Sequence, residues 1–307
     1  MDFLTCYTKK YPFLMEGALG ERLKRESKLV FDNEVSMASL IYTDEGKKAL
    51  AHLWGEYINI AKTYNLPFIA TTPTRRANKE RINNSKYNKD IISDNVSFLK
   101  AIKESCQTTM FIGGLMGCKG DAYLAKDFLS IEEAQDFHSW QANAFKESEV
   151  DFLFAAIMPT LPEAIGMAKA LEKTNLPYII SFMVRENGCL LDGTSIHNAI
   201  ETIDKSTLQN PVCYMANCVH PGILYSALSK EFNRTPLVKD RFGGIQANTS
   251  PLSPEELDNS IDLKSSDHIE LANEIIKLND LINLNIVGGC CGTDNTHISE
   301  IAKRISR

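Results

Sequence analysis

No stretch of the chain approaches the roughly 18 consecutive apolar residues of a membrane-spanning helix. Nor is there a basic excess: 33 Lys and Arg face 39 Asp and Glu, a formal net charge of -6. With the cations spread along the chain, nucleic acid and anionic membranes are disfavoured as main partners. The opening segment "MDFLTCYTKKYPFLMEGALG" carries an acid at Asp2 and lacks a long apolar core with a small-residue cleavage site. No secretory signal is therefore expected, and a cytoplasmic location is the default. Nucleotide-binding loops are missing too, since "MEGALGERL" lacks the GxGxxG spacing and no Walker-type loop occurs elsewhere. No linker, repeat or low-complexity tract divides the 307 residues, so one domain over residues 1–307 is expected, long enough to bury a full core. A small-molecule enzyme fits these exclusions best.

What the chain does contain is a regular alternation. Eight short apolar runs rich in β-formers occur in order: "YPFLMEG", "LPFIATT", "TMFIGGL", "DFLFAAI", "LPYIISFM", "PVCYMAN", "RFGGIQAN" and "LNIVGG". Between them lie segments such as "GKKALAHLWGEYINIAKTYN", "EEAQDFHSWQANAFKESE" and "DHIELANEIIKLNDLI", with apolar residues at three- and four-residue spacing, as amphipathic helices require. Strand followed by helix, repeated, implies parallel pairing through right-handed crossovers. Eight such units predict an α/β fold, a (β/α)8 TIM barrel, with a doubly wound open sheet as the alternative. The polar stretch "TRRANKERINNSKYNKD" reads as a long loop after the second strand. In a barrel, chemistry belongs at the C-terminal ends of the strands.

The chain has eight cysteines, which in a reducing compartment and at this size read as packed thiols, catalysts or metal ligands and not as a disulfide frame. Cys218 closes the sixth run in "YMANCVHP", and Cys290 and Cys291 close the eighth in "IVGGCCGT". Strands six and eight are neighbours-but-one around a closed barrel, so the three thiolates can converge above its axis. Three protein ligands with an open fourth position are the pattern of catalytic zinc. Adjacent strand residues point to opposite faces, so the backbone must turn between Cys290 and Cys291. Gly288, Gly289 and Gly292 are expected to supply that turn. Two other readings stay open for the pair: small buried residues at a tight turn, or a vicinal redox disulfide.

"GGCCGTDNTHI", with "NC" ending the sixth strand, resembles the zinc-dependent homocysteine S-methyltransferase family, whose members are (β/α)8 barrels. "LMEGALGERL" is similar to the family's first-strand "DGAxGTxL", and "IATTPTRRAN" to its second-strand "TNTFxAS". "AYLAKDFLSIEEAQDFHSWQ" follows the family's segment after strand three; "FAAIMPTLPEA" and "SFMVRENGCLLDGTS" resemble "FETIPSLxEA" and "SFTCxDxxxLxDGTS". The resemblance implies that Cys218, Cys290 and Cys291 hold Zn2+ and that the acceptor thiol takes the fourth position. It implies homocysteine as acceptor and methionine as product. The expected donor is a sulfonium or ammonium compound, S-methylmethionine first, because this length leaves no room for cobalamin and folate modules or for a long C-terminal arm. Glu16, Gly17, Thr72, Arg75 and Asn217 fall at substrate-binding positions of the pattern.

Three departures lie at strand ends. The family's first-strand aspartate is Glu16, one methylene longer; its fourth-strand glutamate, which binds the homocysteine amine, aligns with Ala156; its second-strand aromatic is Arg75, followed by Arg76. Losing an anion and gaining a cation at one mouth leads to two expectations: an anionic acceptor thiol without an α-amine, or Glu16 reaching across in place of the glutamate. Solvated loop charge is the other reading of Arg75 and Arg76. Asn217 either orients a ligand or caps a strand end. Cys118, in "GLMGCKGDAY", could approach the metal but reads better as a loop cysteine; His220 could line the pocket, while His297 sits in a helix pattern. A non-catalytic zinc-binding barrel and a thiol oxidoreductase using Cys290 and Cys291 are the competing functions.

Overall fold

A computed structural model describes residues 1–9, 11–120, 122–123, 129–250 and 267–306. Eight strands, β1 Phe13–Met15, β2 Phe68–Thr71, β3 Met110–Gly117, β4 Phe152–Met158, β5 Tyr178–Phe182, β6 Tyr214–Val219, β7 Phe242–Ala247 and β8 Ile286–Gly289, pair in parallel in chain order. β8 closes on β1, giving the (β/α)8 barrel expected from the alternation. Each strand falls inside or within two residues of its predicted run. The three long amphipathic segments form helices Asp44–Thr63, Ile131–Ser148 and His268–Ile282. The polar stretch after β2 is not all loop: Asn78 accepts a hydrogen bond from the Arg81 N–H (3.0 Å) and starts a short helix, Lys79–Asn83. Of the segment after β3 that carries part of the resemblance, residues 121 and 124–128 lie outside the described residues. No described helix is long and apolar enough to cross a membrane.

Strand parity sorts the core into two layers. Phe13 and Met15 of β1, Phe152, Phe154 and Ala156 of β4, and Cys213 and Met215 before and within β6 fill the barrel. Their neighbours Leu14, Leu153, Ala155, Tyr214 and Ala216 pack outward under the helices. At the N-terminal end of the strands, helix Phe3–Thr8 inserts Phe3 into an aromatic plug. Its ring stacks on Phe152 (centroids 4.3 Å apart) and meets Phe13 and Phe111 at 5.7 and 5.6 Å. That end is sealed by large buried rings, which leaves the C-terminal end for chemistry.

Two strands break parity at that end. Ile157 in β4 and Cys218 in β6 have left-handed backbone (φ 57° and 56°), and the pairing slips at both places. A β-branched residue there is an outlier whose strain costs about 1–3 kcal/mol. The consequence is visible in the packing: Ala156 and Ile157, consecutive residues, both join the interior cluster, and Cys218 joins it where regular alternation would turn it outward.

Phe3→Ala is expected to lower stability by about 3–5 kcal/mol, as for other buried phenylalanines. Metal content is expected to stay unchanged because the plug lies at the opposite end from the thiols. Urea unfolding at constant m-value, with metal analysis of the folded variant, checks both.

Candidate metal centre

β8 ends at Gly289, and the chain leaves the sheet through Cys290 and Cys291. The turn is pinned on both sides. The Cys290 N–H donates to Ala247 O (2.7 Å), and Cys291 O accepts from the Thr249 N–H (3.1 Å). Thr293 donates from its hydroxyl to Cys290 O (2.7 Å), and the Gly292 N–H donates to the Glu21 carboxylate (2.6 Å). Gly292 has φ 82°, and a Cβ there would also collide with the Thr249 hydroxyl. The expectation that all three glycines supply turning freedom is corrected for the other two. Gly288 and Gly289 are outside the left-handed region; they permit close approach, since a Cβ at Gly288 would stand 2.5 Å from the Met15 Cβ.

The turn from β8 and the left-handed kink of β6 bring Cys218, Cys290 and Cys291 together, with their three sulfurs within 4.8 Å of one another. Tetrahedral ligands at about 2.3 Å from zinc stand roughly 3.8 Å apart, so a small contraction converts this trio into three corners of a metal site. Cys218 is buried; Cys291 is an exposed residue whose sulfur turns inward.

Asn217, beside Cys218, ties the strand ends together. Its Oδ1 accepts from the Ile157 N–H (2.9 Å) and from the Ser181 hydroxyl (2.6 Å), and its amide nitrogen faces the Cys218 sulfur at 4.0 Å. One side chain thus links β4, β5 and β6 and holds the strained Ile157 in place.

The thiols carry their charge unequally. Hydrogen bonds from Cys290 and Cys291 hold Cys218 well below the ordinary thiol range, helped by the Tyr123 hydroxyl and the nearby Arg75 cation. Cys290 is pushed well above that range, first by its hydrogen bond to Cys218, and Cys291 is pushed up to about 12 for the same reason. A bound metal would let all three ionise.

The interior cluster that holds Cys218 also contains Ala156, Ile157 and Met183, with Leu115 and Leu191 packed against it. Glu16 follows β1 directly. It is buried and accepts from the Thr71 N–H (3.0 Å) and the Thr71 hydroxyl (2.5 Å). Burial pushes its carboxyl up to about 7, against the pull of those hydrogen bonds. Gly17 packs against the Tyr57 ring: a Cβ there would stand 2.7 Å from the Tyr57 hydroxyl oxygen. Thr72 turns away from Glu16: its hydroxyl accepts from the Leu115 N–H (3.0 Å) and pairs with the Thr74 hydroxyl (2.7 Å). Arg75 lies along Gly117 of β3, close enough for its charge to act on Cys218 and Cys291.

Cys118 is half-buried, its thiol directed at Gly120 O (3.6 Å), and is not one of the three clustered thiols. His220 caps the helix Pro221–Leu228, its Nδ1 accepting from the Gly222 N–H (3.1 Å). His297 pairs with Asp294 (2.7 Å) in a helix-capping box. Reading by residue type missed Tyr123, Thr71 and Ser181. Tyr123 is in the quoted "GDAY", but only a folded chain could show its hydroxyl meeting Cys218.

A sequence model described as homocysteine S-methyltransferase matches residues 13–305. The chain is 23% identical over 211 residues to Homocysteine S-methyltransferase 2 of Saccharomyces cerevisiae, a match covering 63% of this chain and 62% of that protein. Among solved structures it is similar to the homocysteine methyltransferase MmuM from Escherichia coli in its metallated form, with a TM-score of 0.76 and 16% identity over 98% of both chains. The apo form of the same protein superposes with a TM-score of 0.69 and 18% identity over 97% of both chains. At these identities the solved structures show the shared fold.

Gly292→Ala combines a disfavoured backbone with a collision, and is expected to weaken metal binding about 5- to 100-fold, read by competition with a chelator. A second outcome concerns Glu16. Its folded-state pKa lies above the unfolded one, so its contribution to stability is full below about pH 4.5 and is lost as pH rises through about 7. Relative to Glu16→Gln, the parent chain should lose about 3 kcal/mol between pH 4.5 and 8. Urea unfolding of both chains across that range measures the difference.

Proposed function

The chain belongs to the homocysteine S-methyltransferase family, and on that premise we propose that it is a zinc-dependent S-methyltransferase acting on a small-molecule thiol. The donor in this reading is a sulfonium or ammonium compound, S-methylmethionine first, and the default acceptor is homocysteine, giving methionine. The observation that carries the proposal is the cluster of Cys218, Cys290 and Cys291, three sulfurs within 4.8 Å at the open end of a barrel. The donor set fits zinc, which accepts soft sulfur ligands without redox chemistry, and three ligands leave one position for substrate.

When bound, zinc supplies the Lewis acidity that lets an acceptor thiol shed its proton near neutral pH, where a free thiol with pKa about 8.5 is mostly protonated. Cys218, Cys290 and Cys291 would hold the ion, and the Asn217 amide orients Cys218 toward it. The apolar wall of Ala156, Ile157 and Met183 excludes water around the transferred methyl. In the transfer, the acceptor sulfur forms a bond to the methyl carbon. The bond from that carbon to the donor sulfonium breaks, its electron pair returns to the donor sulfur, and a neutral thioether departs. Most of the protein's contribution is alignment of the two sulfurs in line. Glu16, at the end of β1, is the carboxyl available to an acceptor ammonium group at this mouth.

The test is metal analysis joined to turnover. The purified chain is expected to carry one zinc, lost in Cys218→Ala and in Cys290→Ala, and to convert homocysteine and S-methylmethionine to methionine, followed by mass spectrometry. Asn217→Ala should retain the fold but lose about 10- to 100-fold in metal affinity or activity. Full zinc loading with no transfer to any thiol would falsify the enzymatic reading and leave a zinc-binding barrel. Redox cycling of Cys290 and Cys291 in a chain that binds no zinc would favour the oxidoreductase instead.

A further inference from the structure

Beside the thiols, on the side of β2 and β3, a cleft of about 230 Å³ opens between the segment after β2 and the loop after β3. Arg75, Arg76, Arg81 and Lys119 line it, and among the described residues no acidic side chain does. In a chain of net charge -6, this local excess of positive charge is unusual enough to need an account. Tyr123 and Cys118 form the wall nearest the metal centre, and the Tyr123 hydroxyl hydrogen-bonds the Cys218 sulfur. The cleft and the thiol trio therefore share a boundary.

Both sides of the cleft are anchored to buried groups. On one side the buried Gln141 amide donates to Thr74 O (3.0 Å), while the Thr74 hydroxyl donates to Leu115 O (2.9 Å), fixing the backbone just before Arg75. On the other, the Lys119 N–H donates to the buried Glu163 carboxylate (2.7 Å), which is paired with the buried His138 (3.1 Å). Gly117 completes the arrangement. A Cβ there would stand 2.7 Å from the Arg75 Cγ and 3.0 Å from its carbonyl oxygen, so the missing side chain is what lets the Arg75 stem lie on β3.

Arg81 reaches Glu34 only at 3.7 Å, and the Lys119 ammonium lies over the Phe137 ring, 5.5 Å from its centroid. Among the described residues neither Arg75 nor Lys119 forms an ion pair. Across the mouth, the interior position on β4 is Ala156, buried beside Ile157, and supplies no carboxylate for an ammonium group. Among the described residues on this side of the mouth, positive charge predominates.

Taking the methyl-transfer reading above as its basis, we propose that this cleft is an acid-binding subsite for the acceptor. The preferred acceptor is then a compact thiol carrying one or two carboxylates, or an equivalent oxyanion, and no free α-amine. Arg75 is the specificity-determining residue: a guanidinium binds a carboxylate through two parallel hydrogen bonds, and such charge-assisted contacts are worth about ten- to hundredfold in affinity. The cleft is smaller than the roughly 300–1,000 Å³ of drug-sized sites, which favours a short acid over a large conjugate.

The zinc-loaded full chain is assayed with S-methylmethionine and four thiols: mercaptosuccinate, 3-mercaptopropionate, homocysteine and cysteamine. Calorimetry follows binding of mercaptosuccinate and cysteamine without donor. Mercaptosuccinate is expected to exceed homocysteine at least tenfold in kcat/KM, with cysteamine poorest. Arg75→Met, which keeps the stem, should raise the mercaptosuccinate KM about ten- to hundredfold and leave cysteamine within about threefold; Gly117→Ala should act in the same direction. Homocysteine preferred over both mercapto acids overturns the proposal. So does an equal loss for all four thiols in Arg75→Met, or a rise in the donor KM alone. If no thiol is methylated, the enzymatic reading fails while the subsite is still decided by calorimetry: mercaptosuccinate binding at least tenfold tighter than cysteamine and weakened by Arg75→Met upholds it, and equal binding overturns it.

Discussion

Three sulfur atoms held within 4.8 Å of one another are the constraint around which the open end of this barrel is arranged. Neutral thiols could pack that closely anywhere, but here the hydrogen bonds of Cys290 and Cys291 concentrate negative charge on Cys218. Ionising the other two demands a cation among them. One approach to this point is strained, and the other is open only to glycine. Cys218 arrives on a left-handed residue inside a strand, and Cys291 is followed by a left-handed glycine pressed against Thr249. Strain of this kind persists only where the surroundings over-determine it.

Much of that over-determination runs through Asn217. By accepting from Ile157 and Ser181 while facing the Cys218 sulfur, it ties the positions of three strand ends to one amide. The kink at Ile157 and the kink at Cys218 are thereby coupled, and both convert an outward-facing position into an inward one. At the opposite end the barrel does the reverse: Phe3, Phe13, Phe111 and Phe152 fill it with rings. Stability and chemistry sit at opposite ends, as the parallel barrel generally divides them.

Charge at the mouth is arranged in two zones. On the β1 side Glu16 is buried under Thr71 and pushed toward neutrality. On the β2–β3 side Arg75 and its neighbours make a cationic cleft whose walls are fixed through Gln141 and Glu163. Family membership concerns the thiols and the barrel that carries them. In the proposed methyl transfer, what the acceptor brings besides its sulfur is a matter for these two zones, and they differ from the family pattern at Glu16, Arg75 and Ala156.

The sequence by itself determined the barrel, because eight β-rich runs alternating with amphipathic segments leave few other ways to bury both faces of every strand. It also determined which thiols could converge, since cysteines ending runs six and eight must lie near each other once the barrel closes. What it could not determine was how adjacent residues come to share a face. Periodicity describes regular strands, and the site is built where regularity fails, at Ile157, Cys218 and Gly292. Likewise "TRRAN" and "GCKG" showed cations and glycines but not that Arg75 lies on Gly117 while Lys119 hangs from Glu163. Those contacts join residues more than 40 positions apart, and only tertiary packing, which fixes distance where sequence fixes order, could decide them.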